Sequence, residues 1–196
     1  MAVNFENKFV FIHITKTGGV AICNKLKLED NSDAHSNYKT LFEKYGKEYS
    51  YHAIIRNPYE RFISAYFFMQ KYDLIFPNKK GKYKDLFDLG LNGLADLLIQ
   101  KGFISQLFYP QIYFLQSEKG IPDINLYKFE EFDKTYRLMA DFINIEPELK
   151  VPVINDSNHE KYSFYYKNNI ILAEKIYGLY YRDFKLFGYD KNINDD

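Results

Sequence analysis

Residues 9–22 read FVFIHITKTGGVAI, and the fold turns on how this stretch is read. A short run of β-branched and aromatic residues predicts a fully buried strand over 8–14. It runs directly into Lys16, Thr17, Gly18 and Gly19, after which apolar character resumes in a predicted helix, VAICNKLKLED. Two glycines let a backbone bend close to a ligand. A helix that opens there presents unpaired N–H groups and the positive end of its dipole, and Lys16 adds a full charge. The stretch therefore reads as a cradle for a phosphorylated compound. Its spelling is not that of the Walker loop, in which the lysine follows the second glycine of G-x-x-x-x-G-K-[ST]. No acidic residue closes a strand where phosphoryl transfer would place a magnesium ligand.

Working outward, YSYHAIIR (49–56) predicts a second strand that ends in Arg56. The helix after it has a strong start, with Asn57 as cap, Pro58 in the first turn and Glu60 three residues past the cap. INLYKF (124–129) predicts a third strand, and EEFDKTYRLMADFINI an amphipathic helix with Phe132, Tyr136, Met139 and Ile143 on one face. Further helices are expected at YKTLFEKYG, stopping at Gly46, and at 92–102, with Asn92 as cap and Gly102 as stop. One or two helices close the chain near Gly188. EDNSDAHSN (29–37) and PNKKGKYKD (77–85) read as polar loops. Strands alternating with helices predict an α/β fold: a single domain over 1–196, with a parallel sheet of four or five strands flanked by helices. In such a fold the strand C-termini share one edge, and ligands bind there.

The 196 residues carry no net charge, with 26 basic and 26 acidic side chains. That argues against a nucleic-acid partner, so any anion site must be local. A single cysteine, Cys23, excludes an intrachain disulfide and a cysteine-rich metal site. Nothing reads as a signal peptide or a membrane span, which points to a soluble, cytoplasmic protein. The core is aromatic, with 19 Tyr and 18 Phe but no Trp. Its buried tyrosines must keep their hydroxyls hydrogen-bonded.

FVFIHITKTGG together with AIIRNPYERFISAY resembles the PAPS-dependent sulfotransferases, in particular the branch of carbohydrate 2-O-sulfotransferases and small bacterial enzymes. YKFEEFDKTYRLMADFI, INDSNHEKYSFYY and DFKLFGYD resemble later segments of that family in the same order. The resemblance implies a P-loop-like topology. It implies an enzyme that takes 3′-phosphoadenosine 5′-phosphosulfate (PAPS) as cosubstrate, releases adenosine 3′,5′-bisphosphate, and needs no metal. The acceptor is a hydroxyl, expected on a saccharide, and transfer is a direct in-line displacement.

The same resemblance assigns Lys16, Thr17, Gly18 and Gly19, with the backbone of Val20 and Ala21, to the 5′ end of the donor. Arg56 and Ser64 fall on the 3′-phosphate, for which the planar guanidinium fork is well shaped. Lys16 would stabilise the leaving group, and His35 would be the base. An ordinary imidazole pKa near ~6.5 suits that task at neutral pH.

The chain departs from the family pattern at Thr15, where proline is usual. Val20 and Ala21 stand in place of two hydroxyl residues, and Ala34 stands in place of the glycine before the histidine. Two rival functions follow: a nucleotide-dependent phosphotransferase, and a non-catalytic bisphosphate- or glycan-binding module. Of the other candidates, His13 reads as a buried core histidine, and His52 carries no motif. Glu60 and Arg61 read as a cap and a surface pair. Asn155, Ser157 and His159 lie where the resemblance places a cofactor- or acceptor-binding segment.

Overall fold

The computed structural model describes residues 2–30, 35–76, 78, 81–147 and 159–193. Asn155 and Ser157 lie outside them. The chain divides into two compact units, one from Met1–Arg56 and Gln111–Asn155, the other from Asn57–Pro110 and Asp156–Asp196.

The first unit is built on a five-stranded sheet in the order β3-β1-β2-β4-β5. The strands are β1 (Ala2–Asn4), β2 (Phe9–Ile12), β3 (Glu29–Asp30), β4 (Ser50–Ile55) and β5 (Asn125–Lys128). β2, β4 and β5 are parallel neighbours, with Phe11 opposite His52 and Ile54 opposite Tyr127. β1 is antiparallel to both β2 and β3, so four of the five strands share one direction. The flanked α/β sheet expected from the sequence is thus present, but it is mostly and not wholly parallel, because β1 runs against both its neighbours. The short β1 and β3 were not anticipated. Neither has the length or alternation that marks a strand in sequence.

Strand alternation sorts the side chains. Phe9, Phe11 and Ile54 enter a core with Ile22 of α1 (Gly19–Lys25), Leu26 just past its end, and Tyr136, Met139 and Ala140 of α7 (Phe132–Phe142). The opposite face carries Tyr51, against which Tyr38 of α2 (Tyr38–Tyr45) packs edge-on at 5.0 Å. The short α6 (Gln111–Leu115) lies beside α2. With both faces covered, β2 is buried at every residue, as its unbroken apolar run requires.

The helix after the lysine–glycine loop is shorter than its apolar pattern suggests. α1 ends at Lys25 because Lys27 takes a left-handed backbone, φ 48°, and the chain turns into β3. α2 has the expected Gly46 stop, and its Asn37 side chain caps the Thr40 N–H.

The second unit is helical: α3 (Pro58–Ile75), α4 (Lys84–Asp88), α5 (Gly90–Lys101), α8 (Tyr162–Lys167), α9 (Ile170–Leu179) and α10 (Tyr181–Phe187). α3 starts as expected, with the Asn57 side chain accepting from the Tyr59 N–H at 2.9 Å. α5 begins two residues before Asn92, so that asparagine lies inside the helix and does not cap it. The C-terminal segment forms three helices, the last closed by Gly188.

The unit's core is as aromatic as its composition demands. Buried tyrosine hydroxyls donate to backbone carbonyls: Tyr166 to Tyr59 at 3.1 Å and Tyr180 to Phe108 at 2.8 Å. Arg61, expected at the surface, is instead among the largest fully buried side chains. Its Nη2 donates to the Tyr109 carbonyl at 2.6 Å, and its guanidinium lies 5.4 Å from the Tyr180 ring centroid. A buried guanidinium needs such partners, and loop carbonyls supply one that no helical spacing announces.

Candidate functional site

β2, β4 and β5 run parallel, so their C-termini lie at one edge of the sheet. Three segments leave that edge: Ile12 leads into the lysine–glycine loop, Ile55 into Arg56, and Lys128 into Phe129. Parallel order places them together by necessity, and this is the edge where α/β folds take ligands.

The loop of residues 13–18 is a tight turn with two left-handed residues, Lys16 at φ 65° and Gly18 at φ 77°. Backbone of this kind gathers N–H groups toward one side. Thr17 is fully buried, and its hydroxyl donates to the Ile14 carbonyl at 2.9 Å. That bond braces the turn and commits the hydroxyl proton inward. Both glycines are required sterically. A Cβ at Gly18 would lie 2.5 Å from Cε2 of Phe132, and a Cβ at Gly19 would overlap the His13 ring. Val20, in the first turn of α1, is exposed, whereas Ala21 is buried.

Arg56 is fixed at both ends. Its N–H donates to Oε1 of Gln111 and its carbonyl accepts from Nε2, each at 2.8 Å, so one buried amide clasps the backbone where β4 ends. Its guanidinium lies 4.0 Å from the Phe129 ring centroid, and its Nη1 donates to the Lys16 carbonyl at 3.0 Å. The arginine of the second motif therefore reaches the backbone of the first.

His35, just before α2, has its ring centroid 4.4 Å from that of His13. Its Nδ1 lies 2.8 Å from the His13 carbonyl oxygen. A carbonyl only accepts, so Nδ1 carries the proton and the lone pair of the neutral ring sits on Nε2. His35 itself has a left-handed backbone, φ 68°. Such a conformation is uncommon for a residue with a side chain and persists where the surroundings enforce it. Burial, followed by the charge of His35, pushes His13 down to about 3, so His13 is neutral across the ordinary pH range.

The structure thus brings Lys16, Thr17, Gly18, Gly19, Val20, Ala21, His35 and Arg56 into one unit. Ser64 is buried on α3 of the other unit. His159 is also in that unit, its ring stacked 5.5 Å from Phe67 and its Nδ1–H donating to the Glu160 carbonyl at 2.7 Å. The places of Gln111, Phe129, Phe132 and His13 at this edge were missed from sequence. The only available signals were the FEEF spelling at the end of a strand and a histidine inside an apolar run. Among the described residues, no group of three or more His, Cys, Asp or Glu side chains is placed to hold a metal ion.

A profile of the sulfotransferase family matches residues 1–190, which includes every element of this edge. The chain belongs to the sulfotransferase family, and membership makes it a transferase of the sulfuryl-transferring kind with a hydroxyl acceptor. No curated protein and no solved structure matches it.

Proposed function

We propose that this protein moves the sulfuryl group of PAPS to a hydroxyl of a saccharide by direct in-line displacement. His35 removes the acceptor's proton at Nε2 as the oxygen–sulfur bond forms. Lys16 and the N–H groups of residues 17–21 meet the negative charge on the 5′-phosphate as its bond to sulfur breaks, leaving adenosine 3′,5′-bisphosphate. Arg56 holds the 3′-phosphate. Ser64, further along the same motif, is assigned to that phosphate by the motif alone. The saccharide follows from the resemblance to the carbohydrate branch.

The observation that carries this reading is the 3.0 Å bond from Arg56 Nη1 to the Lys16 carbonyl. It joins the two motifs a doubly phosphorylated nucleotide requires. The donor set also fits in kind: two cations, a left-handed turn, and two positions where a Cβ has no room.

Thermal stabilisation tests it. Adenosine 3′,5′-bisphosphate at ~100 times its dissociation constant should add about 2.7 kcal/mol, well beyond the effect of ATP with magnesium. Equal or stronger stabilisation by ATP–magnesium overturns the reading in favour of phosphoryl transfer. Bisphosphate binding with no sulfate transferred to any of a panel of saccharides overturns it in favour of a binding module. In the enzyme, His35→Ala abolishes turnover while bisphosphate affinity stays within about twofold, since the base does not touch the nucleotide.

A further inference from the structure

We propose that His13 is a positioning residue for His35: its carbonyl selects the Nδ1–H tautomer, and its ring is the platform that holds the imidazole on that bond. The proposal rests on His35 acting as the base.

Three observations converge. The Nδ1-to-carbonyl distance is 2.8 Å, a good hydrogen bond. The two rings lie 4.4 Å apart at 53°, so His13 covers one side of His35. The His13 ring is itself set from beneath by Gly19, where no Cβ can fit against it. The chain Gly19–His13–His35 thus runs from the phosphate loop to the base, and the second glycine of the motif serves the histidine as well as the ligand.

The electrical state of His13 suits this task. Two imidazoles at this separation can compete for one proton. Burial and the charge of His35 both hold His13 neutral, so a proton taken by His35 at Nε2 stays there until solvent removes it. His13 is therefore a support and not a relay. The left-handed backbone of His35 shows that the position is imposed on the residue.

Long-range proton–nitrogen correlation spectra of the full chain at pH 8.5 read the tautomer directly, with His35→Gln assigning the signals. The expected result is a proton on Nδ1 of His35. In His13→Ala the signal should move toward the Nε2–H form that free histidine prefers, and in His13→Phe, which keeps a flat uncharged ring, it should return. A wild-type His35 protonated on Nε2 overturns the proposal. So does a His13→Ala spectrum indistinguishable from wild type. If His13→Ala does not fold, the wild-type tautomer and the Phe variant still decide. The readout is separate from the functional reading. A chain that binds no adenosine 3′,5′-bisphosphate yet shows the Nδ1–H form keeps the positioning and loses the enzyme.

Discussion

The guanidinium of Arg56 donates to the carbonyl of Lys16 at 3.0 Å, although the two residues lie in segments that leave different strands. The contact ties the segment after β4 to the loop after β2. Arg56→Lys keeps the charge but loses the planar fork and this bond. At about 1.5–3 kcal/mol for hydrogen bonds to a charged group, affinity for adenosine 3′,5′-bisphosphate should fall roughly 10- to 100-fold by calorimetry, with the fold intact. Unchanged affinity would remove Arg56 from the binding set.

Gln111 acts on the same residue from behind. Gln111→Leu leaves the buried N–H and C=O of Arg56 without the side-chain amide that now pairs with both. Stability should drop by about 2 kcal/mol or more, measured as a shift in urea midpoint. A neutral result would mean that the clasp is incidental.

Gly19→Ala drives a methyl group into the His13 ring, and overpacking of this kind costs about 1–3 kcal/mol. The loss should be non-additive. In a His13→Ala background the new methyl finds room, and the double variant should be more stable than the sum of the two singles predicts. Strict additivity in thermal melts would show that the two residues do not press on one another.

Val20 is exposed in the first turn of α1, where the family pattern carries a hydroxyl. Val20→Thr is nearly isosteric and keeps β-branching. It should leave the melting temperature unchanged and tighten bisphosphate binding about fivefold, the worth of one added hydrogen bond near 1 kcal/mol. No gain in affinity would place the side chain away from the phosphate.

Acid sensitivity should trace to His52, fully buried against Phe9 at 4.2 Å, with its Nδ1 3.0 Å from the Tyr127 hydroxyl. Burial pushes it down to about 4. Between that value and the ordinary ~6.5, the unfolded chain binds a proton that the folded chain does not, so stability falls as pH drops across the window. The full effect, about 3 kcal/mol at most, is reached below pH ~4. His13 is lowered in the same direction. Melts between pH 4 and 7.5 should show a shallower slope for His52→Gln than for wild type, and equal slopes would assign the effect elsewhere.

Much of this architecture was legible in the residues, for local reasons. The apolar run at 9–12, the Asn57–Pro58 start of α3 and the one-faced helix at 132–142 each announce themselves within a few positions. The candidate loop residues and Arg56 followed from strand ends, because parallel order sends them to one edge. What sequence hid is what depends on distant partners. Gln111 sits on a five-residue helix and matters only because it meets the end of β4. Arg61 reads as a surface charge and is buried where the Tyr109 carbonyl receives it. β1 exists through pairing with β2, and β3 through pairing with β1, which no short window of residues reveals.

Lys16 occupies a left-handed backbone, φ 65°, that costs an ordinary residue roughly 1–2 kcal/mol and glycine almost nothing. A glycine here would make the sturdier molecule and the emptier one, gaining a few degrees of melting temperature while losing a positive charge from the turn. If Lys16 meets the donor as proposed, the loop is a place where durability and chemistry pull in opposite directions. Selection for heat resistance alone would erode this lysine early.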